Sequence, residues 1–310
     1  MLTLFLKKFN RYLFNRLFEK LYFSTNILKV IILKKTQEIT DWLSIQAKNY
    51  KSIGFVPTMG ALHEGHLSLI EFSKIDNDLT VCSIFVNPTQ FNNPTDFEKY
   101  PSTLESDIYL LEKAGCDILF LPQKDEIYPD GFIKKNYTLG YLENILEGKY
   151  RPGHFQGVCM VVDRLLDIVP CNTLYLGRKD YQQCLVLQKM TNEFHPNVFI
   201  KTCETKRTEN GLAMSSRNLR LNEAERKIAE VLFKCLSQIK NEANHQSLDL
   251  LLKSASDEIV GAGFDIDYLA VTDEALIEIT HLTKGEIYVV LVAATINNIR
   301  LIDNLIFTAR

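Results

Sequence analysis

From about residue 28 the chain alternates short, continuous apolar runs with stretches in which apolar residues recur at helical spacing. Ile53-Gly54-Phe55-Val56 reads as a buried strand, and Leu67 to Ile75 as the helix that follows it. Leu79 to Val86, rich in β-branched and aromatic residues, reads as a second strand. Leu104, Ile108, Leu110 and Leu111 recur at helical spacing ahead of a stop at Gly115, and Asp117 to Leu121 is a third strand closed by Pro122. Val158 to Val169 and Tyr181 to Phe194 are expected to be helical, with Thr173 to Leu176 and Val198 to Cys203 extended. Strand–helix alternation of this kind predicts a parallel sheet with helices on both faces and right-handed crossovers, a Rossmann-like α/β layout. Beyond residue 206 the pattern changes. Two helical segments, Glu223–Lys240 and Leu248–Ala262, precede the extended runs Ile266–Val271, Ile287–Ala293 and Ile299–Ile302. The expected organisation is an N-terminal extension over residues 1–27, a nucleotide-binding-type domain over 28–205 and a smaller α+β C-terminal domain over 206–310.

Composition narrows the class. At 46% hydrophobic and 24% charged residues, the 310-residue chain has the balance of a folded globular protein and not of a disordered or collagen-like one. A net charge of −3 argues against duplex nucleic acid as a partner. No apolar run approaches the roughly 18 residues of a membrane span. The seven cysteines are dispersed without a C-x-x-C pair, so a zinc knuckle or redox couple is not indicated and free thiols in a reducing cytoplasm are expected. Charge is uneven along the chain. Residues 1–27 carry Lys7, Lys8, Arg11, Arg16 and Lys20 against Glu19 alone, which leaves 30 basic and 37 acidic residues, a net of −7, for the rest. The extension opens on MLTLFL where a secretory signal would place its charges first, and it is poor in the Arg and Ser of a transit peptide. It is expected to be an added helix or a ragged extension, or to follow a start codon that is not used.

The chemistry concentrates first at Val56-Pro57-Thr58-Met59-Gly60-Ala61-Leu62-His63-Glu64-Gly65-His66, between a buried strand and the next helix. Ligands of open parallel sheets bind beyond the carboxyl ends of the strands. Gly60 and Gly65 allow close backbone approach, and the helix N-terminus after them favours phosphate. His63 and His66, three residues apart, share a face, where two imidazoles can donate hydrogen bonds as charge builds on a phosphoryl group.

The segment PTMGALHEGHLSLI resembles the signature of the pantothenate synthetase (pantoate–β-alanine ligase) family, within the nucleotidyltransferases that carry H-x-G-H. Five further segments resemble the same family in its order: FVNPTQF at 85–91, the YP and TL pairs at 100–104, RPGHFQGV at 151–158, GRKDYQQ at 177–183 and GLAMSSRN at 211–218. The match runs from about Leu28 to the end of the chain. The resemblance implies that pantoate and ATP give a pantoyl adenylate and pyrophosphate, and that β-alanine then displaces AMP to form pantothenate, a coenzyme A precursor. It implies Mg2+ with the ATP, with the metal's protein ligands left open, a homodimer and a cytoplasmic location. It places ATP on Met59, Gly60, Ala61, Leu62, His63, Glu64, Gly65 and His66, on Gly177, Arg178, Lys179 and Asp180, on the backbone of Lys206, and on Met214, Ser215, Ser216 and Arg217. Among these, His66, His63, Lys179 and Arg217 are the catalytic candidates. His66 matches the family's proton donor, and stabilisation of phosphate charge is an equally good role for it. Gln90 and Gln183 match the two glutamines used on pantoate, with Met59 beside them and Gln90 also meeting β-alanine. An amide offers both donor and acceptor without neutralising a nucleophilic carboxylate. Pro57, Met59 and Phe91 are expected to line the apolar side, Asp180 to hydrogen-bond ribose or orient Lys179, and Asp96 to face magnesium.

The chain departs from the family pattern at Arg178, Glu204, Lys206, Thr208 and Thr89. Two other readings differ in testable ways. A related nucleotidyltransferase with another acceptor would lack Gln90 and the GRKDYQQ–MSSRN pair. A non-catalytic nucleotide binder would have lost one of His63, His66, Lys179 or Arg217.

Overall fold

The computed structural model describes residues 29–49, 51–92 and 94–310; the basic extension expected over residues 1–27 lies outside them. Six strands, β1 (Ile31–Leu33), β2 (Ile53–Thr58), β3 (Leu79–Ile84), β4 (Ile118–Phe120), β5 (Thr173–Gly177) and β6 (Phe199–Cys203), form one sheet in the order β1-β4-β3-β2-β5-β6. Every pairing in it is parallel. Alternate residues of these strands enter two separate cores. Phe55, Val81, Ile118 and Leu174 face one, and Val56, Cys82, Leu119 and Tyr175 face the other. The first core is closed by helices α1 (Thr36–Ala47), α4 (His154–Ile168) and α5 (Tyr181–Phe194), and the second by α2 (Glu64–Asp76) and α3 (Leu104–Ala114). Burial on both faces is why the strands read as unbroken apolar runs.

The chain winds outward from β2 through β3 to β4, then returns to β5 on the other side of β2. The carboxyl ends of β2 and β5 therefore flank the point where the winding reverses, where such sheets leave a crevice.

Residues 223–308 add helices α6 (Glu223–Glu242) and α7 (Leu248–Gly261) and an antiparallel sheet of β7 (Asp265–Asp273), β8 (Ile287–Ile296) and β9 (Ile299–Thr308). One face of this sheet packs on α6 and α7, while Ala270, Val289 and Leu291 join the core of the larger sheet. The strands outrun the expected limits at Ala293 and Ile302. Asn297 and Asn298, with φ of 46° and 62°, form the two-residue turn that carries the β8–β9 register up to Ile296 and Ile299.

Candidate functional site

The loop after β2 is held from below. Thr58 Oγ1 donates to the Ser83 carbonyl and accepts from Gly60 N. Gly60 and Ala61 take left-handed backbone conformations, φ 80° and 49°. The buried Asp107 carboxylate on α3 accepts from Ala61 N at 2.9 Å, Leu62 N at 2.8 Å and Thr103 Oγ1 at 3.0 Å. The amides of Gly60, Ala61 and Leu62 are thus already bonded, and these residues lie beneath the cleft; Met59, His63, Gly65 and His66 line it. Of the expected stretch from Met59 to His66, Gly60, Ala61 and Leu62 therefore turn no free backbone amide toward the cleft. Glu64 is exposed outside the lining as well.

The two histidines take part of the helix N-terminus themselves. α2 begins at Glu64 with His63 as its cap. Gly65 N donates to His63 Nδ1 at 3.1 Å and His63 N to His66 Nδ1 at 3.4 Å. A Cβ on Gly65 would stand 2.9 Å from the His63 ring, so the glycine makes room for the imidazole. The two rings lie 4.0 Å apart at 31°. Each Nδ1 accepts a backbone N–H, so each neutral ring carries its proton on Nε2. Burial, then the Lys179 charge, lowers His63 from its ordinary 6.5 to about 4. Burial, then His63 and Lys179, hold His66 well below 6.5. Both are therefore neutral hydrogen-bond donors near neutral pH.

Gly177–Asp180 leaves β5 in a single tight turn. Asn304 on β9 clamps it, its Nδ2 donating to the carbonyls of Arg178 and Lys179 at 3.0 and 2.9 Å. The Lys179 ammonium lies in the cleft, 3.3 Å from Asp180. Arg178 turns out of the lining and meets Glu204 at 3.7 Å, so two departures from the family pattern offset one another's charge. Across the cleft, Ser216 Oγ donates to the Ala61 carbonyl at 3.0 Å, and Met214 N to the Lys206 carbonyl at 2.9 Å. Met214, Ser215, Ser216, Arg217 and Lys206 thus line the same cleft as the histidines. Arg217 shares its charge: Asp96 accepts from Arg217 with one oxygen and from Arg220 with the other, both at 2.9 Å. Burial raises the Asp96 carboxyl, but the two guanidiniums win and hold it below its ordinary range. Asp96 is accordingly an anchor for two arginines and not an open magnesium ligand.

On the acceptor side, Gln90 Nε2 meets Met59 Sδ at 3.0 Å, and Gln183 faces the same cleft. Pro57, Val158 and Val162 supply an apolar wall. Phe91, expected in that wall, packs instead on Phe97 and Tyr100 with ring centroids 5.3 and 5.9 Å away. The enclosed space is about 220 Å³. A second cavity of about 540 Å³ adjoins it and shares Lys179, Asp180, Ser215 and Arg217. Among the described residues, one cluster has three metal-type ligands, Asp163, Asp167 and His195. It lies outside the cleft, and Asp163 is already satisfied by Lys135, Tyr137 and His195.

Sequence reasoning missed Asp107, Asn304, Glu147 and Arg300, and gave Arg151 and His154 of the RPGHFQGV segment no role. The partners of Asp107 and Arg300 lie 46 and 153 positions away, so no local pattern marks them.

The sequence model described as pantoate-beta-alanine ligase matches residues 31–306. A pantothenate synthetase of Cytophaga hutchinsonii is 40% identical over 288 residues, covering 89% of this chain and 99% of the relative. One from Thermodesulfovibrio yellowstonii is 45% identical over 259 residues, 83% of this chain and 92% of the relative. Among solved structures, pantothenate synthetase from Thermus thermophilus superposes with a TM-score of 0.82 at 39% identity, covering 89% of this chain and 99% of that one. The pantoate-beta-alanine ligase of Francisella tularensis, complexed with beta-gamma ATP and beta-alanine, gives 0.74 at 38% identity over 89% of this chain and 97% of that one.

Proposed function

The chain belongs to the pantoate–β-alanine ligase family, and from that premise we propose that it joins its substrates through a pantoyl adenylate. It is an ATP-using enzyme that ligates pantoate and β-alanine. In the first step a pantoate carboxylate oxygen attacks the α-phosphorus of ATP and pyrophosphate leaves. In the second, the β-alanine amine attacks the acyl carbon and loses a proton as the amide bond forms, and AMP leaves carrying the former carboxylate oxygen on its phosphorus.

One observation supports this most: two neutral imidazoles with their Nδ1 atoms tied to backbone face Lys179 and the Met214–Arg217 segment in a cleft that also holds Gln90 and Gln183. Phosphoryl transfer needs positioning and fixed donors where charge spreads. The Nε2–H groups of His63 and His66 donate to the phosphoryl oxygens, Lys179 neutralises the charge that develops, and Ser215 adds a hydroxyl donor while Ser216 keeps its own on the Ala61 carbonyl. Because the rings are neutral, His66 acts by hydrogen-bond donation to charge on the transferring group rather than as a standing imidazolium. The amides of Gln90 and Gln183 orient the pantoate carboxylate and hydroxyl, and the Pro57–Val158–Val162 wall takes its apolar end. The C-terminal unit covers the cleft and excludes water, which would otherwise hydrolyse the acyl adenylate.

Mg2+ fits as an ion brought by the nucleotide. The cleft offers the Asp180 carboxylate and no three-ligand cluster among the described residues. Asp180 and the phosphate oxygens would hold it, and it would offset phosphate charge there. The homodimer and the cytoplasmic location belong to the same proposal. No helix among the described residues is long and apolar enough to cross a membrane, and the seven cysteines are free and buried.

The test is exchange of labelled pyrophosphate into ATP. Exchange that requires pantoate but not β-alanine is expected. It should be abolished in His66→Ala and Lys179→Ala with the fold retained. Exchange without pantoate, or near-normal exchange in either variant, would contradict the reading.

A further inference from the structure

Four charged or titratable side chains form a line that the reaction above does not use. Glu147 is nearly buried between the two sheets. It accepts from Arg300 Nη1 and Nη2 at 2.8 and 2.6 Å and from Tyr268 Oη at 2.9 Å, and lies 3.7 Å from Arg151. Arg300 sits just past the β8–β9 turn, and Asp267 on β7 holds its Nε at 2.6 Å. Arg151 Nη1 meets His154 Nε2 at 2.9 Å, and His154 Nδ1 meets the Gln90 carbonyl at 2.7 Å.

The last two contacts fix the state of His154. A carbonyl only accepts and a guanidinium only donates, so the ring carries its proton on Nδ1 and a lone pair on Nε2. Burial first, then the Arg151 charge, lowers this group to about 3, which agrees with a neutral ring. The line is therefore directional. It starts at the hairpin of the C-terminal sheet and ends on the backbone of Gln90, whose side chain touches Met59 in the cleft. Arg151 Nη2 approaches the same carbonyl at 3.5 Å. Holding that carbonyl sets the Gln90–Phe91 peptide plane and hence where the Gln90 amide points.

We infer that Arg300, Glu147, Arg151 and His154 are positioning residues, a relay by which seating of the β8–β9 hairpin sets Gln90 for the acceptor. The inference rests on the reading of Gln90 as a pantoate contact. A purely structural cluster would lower stability and leave the Michaelis constants of the folded enzyme alone. A relay moves the pantoate constant and leaves the ATP constant. It also makes its members non-additive, because breaking either link disconnects the same end.

The experiment uses the full chain with Arg300→Gln, His154→Leu and the double variant, measuring KM for pantoate and ATP beside thermal unfolding. Each single change should raise pantoate KM about tenfold, in the range of mutations along coupled networks, with ATP KM within about twofold. The double should be no worse than the more affected single. His154→Asn, whose Nδ2 can reach the Gln90 carbonyl, should recover most of the loss. If Arg300→Gln does not fold, Arg300→Lys keeps the charge, loses the fork on Glu147 and should give an intermediate rise. Parallel increases in both constants, or single effects that multiply in the double, would overturn the relay. Failure of the wild-type protein to respond to pantoate at all would instead sink the functional reading beneath it.

Discussion

Asp107 offers the sharpest test of how the histidine loop is held. Its Oδ2 takes Ala61 N, while Oδ1 takes Leu62 N and Thr103 Oγ1. Asp107→Asn preserves size and can keep the Oδ1 bonds, but it turns an amide NH2 toward the Ala61 N–H. A buried donor is then left without an acceptor, at about 1–3 kcal/mol. Ala61 also sits at φ 49°, a left-handed conformation that costs a non-glycine residue about 1–2 kcal/mol. Without its hydrogen bond the loop relaxes and carries His63 with it. For a protein of this size each kcal/mol lowers Tm by about 2–4 °C. Displacement of a catalytic group by an ångström can cost about a hundredfold in rate. We therefore expect thermal unfolding several degrees lower and pantoate-dependent pyrophosphate exchange reduced at least about tenfold. Unchanged unfolding together with exchange near the wild-type rate would refute the reasoning. A lower Tm with normal exchange would refute its positional half.

Three other outcomes follow from the same geometry. Gln183→Ala should raise pantoate KM far more than ATP KM in steady-state kinetics, and equal losses would argue against its assignment. His63 is held near 4 in the fold against 6.5 when unfolded, so the unfolded chain binds more protons between those values. Stability measured by urea unfolding should be full above pH 6.5 and fall as pH drops toward 4, and His63→Gln should flatten that slope. The Arg207 guanidinium meets the buried Asp303 at 2.6 and 2.8 Å. Burial raises the Asp303 carboxyl while Arg207 pulls it down. Arg207→Met, which strands that carboxylate, should cost about 3–5 kcal/mol in urea unfolding, and a loss below about 1 kcal/mol would mean the carboxylate is satisfied elsewhere.

The sequence was most legible where one element explains itself. The β2 run, the turn and α2 are contiguous, and both histidines stand where the H-x-G-H spacing put them. It was least legible where burial serves a distant contact. β1 is three residues long and α1 shows only Ile39 and Leu43 as buried anchors, so neither produced a readable period. Helix α4 begins at His154, one turn before the expected Val158, and runs through Gly157. That glycine is a packing choice: a Cβ there would sit 2.3 Å from the Thr89 carbonyl. Periodicity located the start of α2 but could not show that Gly65 N is taken by His63 Nδ1, His63 N by His66 Nδ1, and the loop amides of Ala61 and Leu62 by Asp107. Arg300 and Glu147, 153 positions apart, meet only through the tertiary fold.

In the proposed reaction pantoate's carboxylate oxygen bonds to the α-phosphorus of ATP. That step is tested most directly with pantoate carrying 18O in both carboxylate oxygens, incubated with ATP, β-alanine and the enzyme, followed by mass analysis of the nucleotide product. The account predicts AMP bearing one 18O in its phosphate and unlabelled pyrophosphate. Label in inorganic phosphate with ADP as the nucleotide product, or AMP free of label, would contradict it.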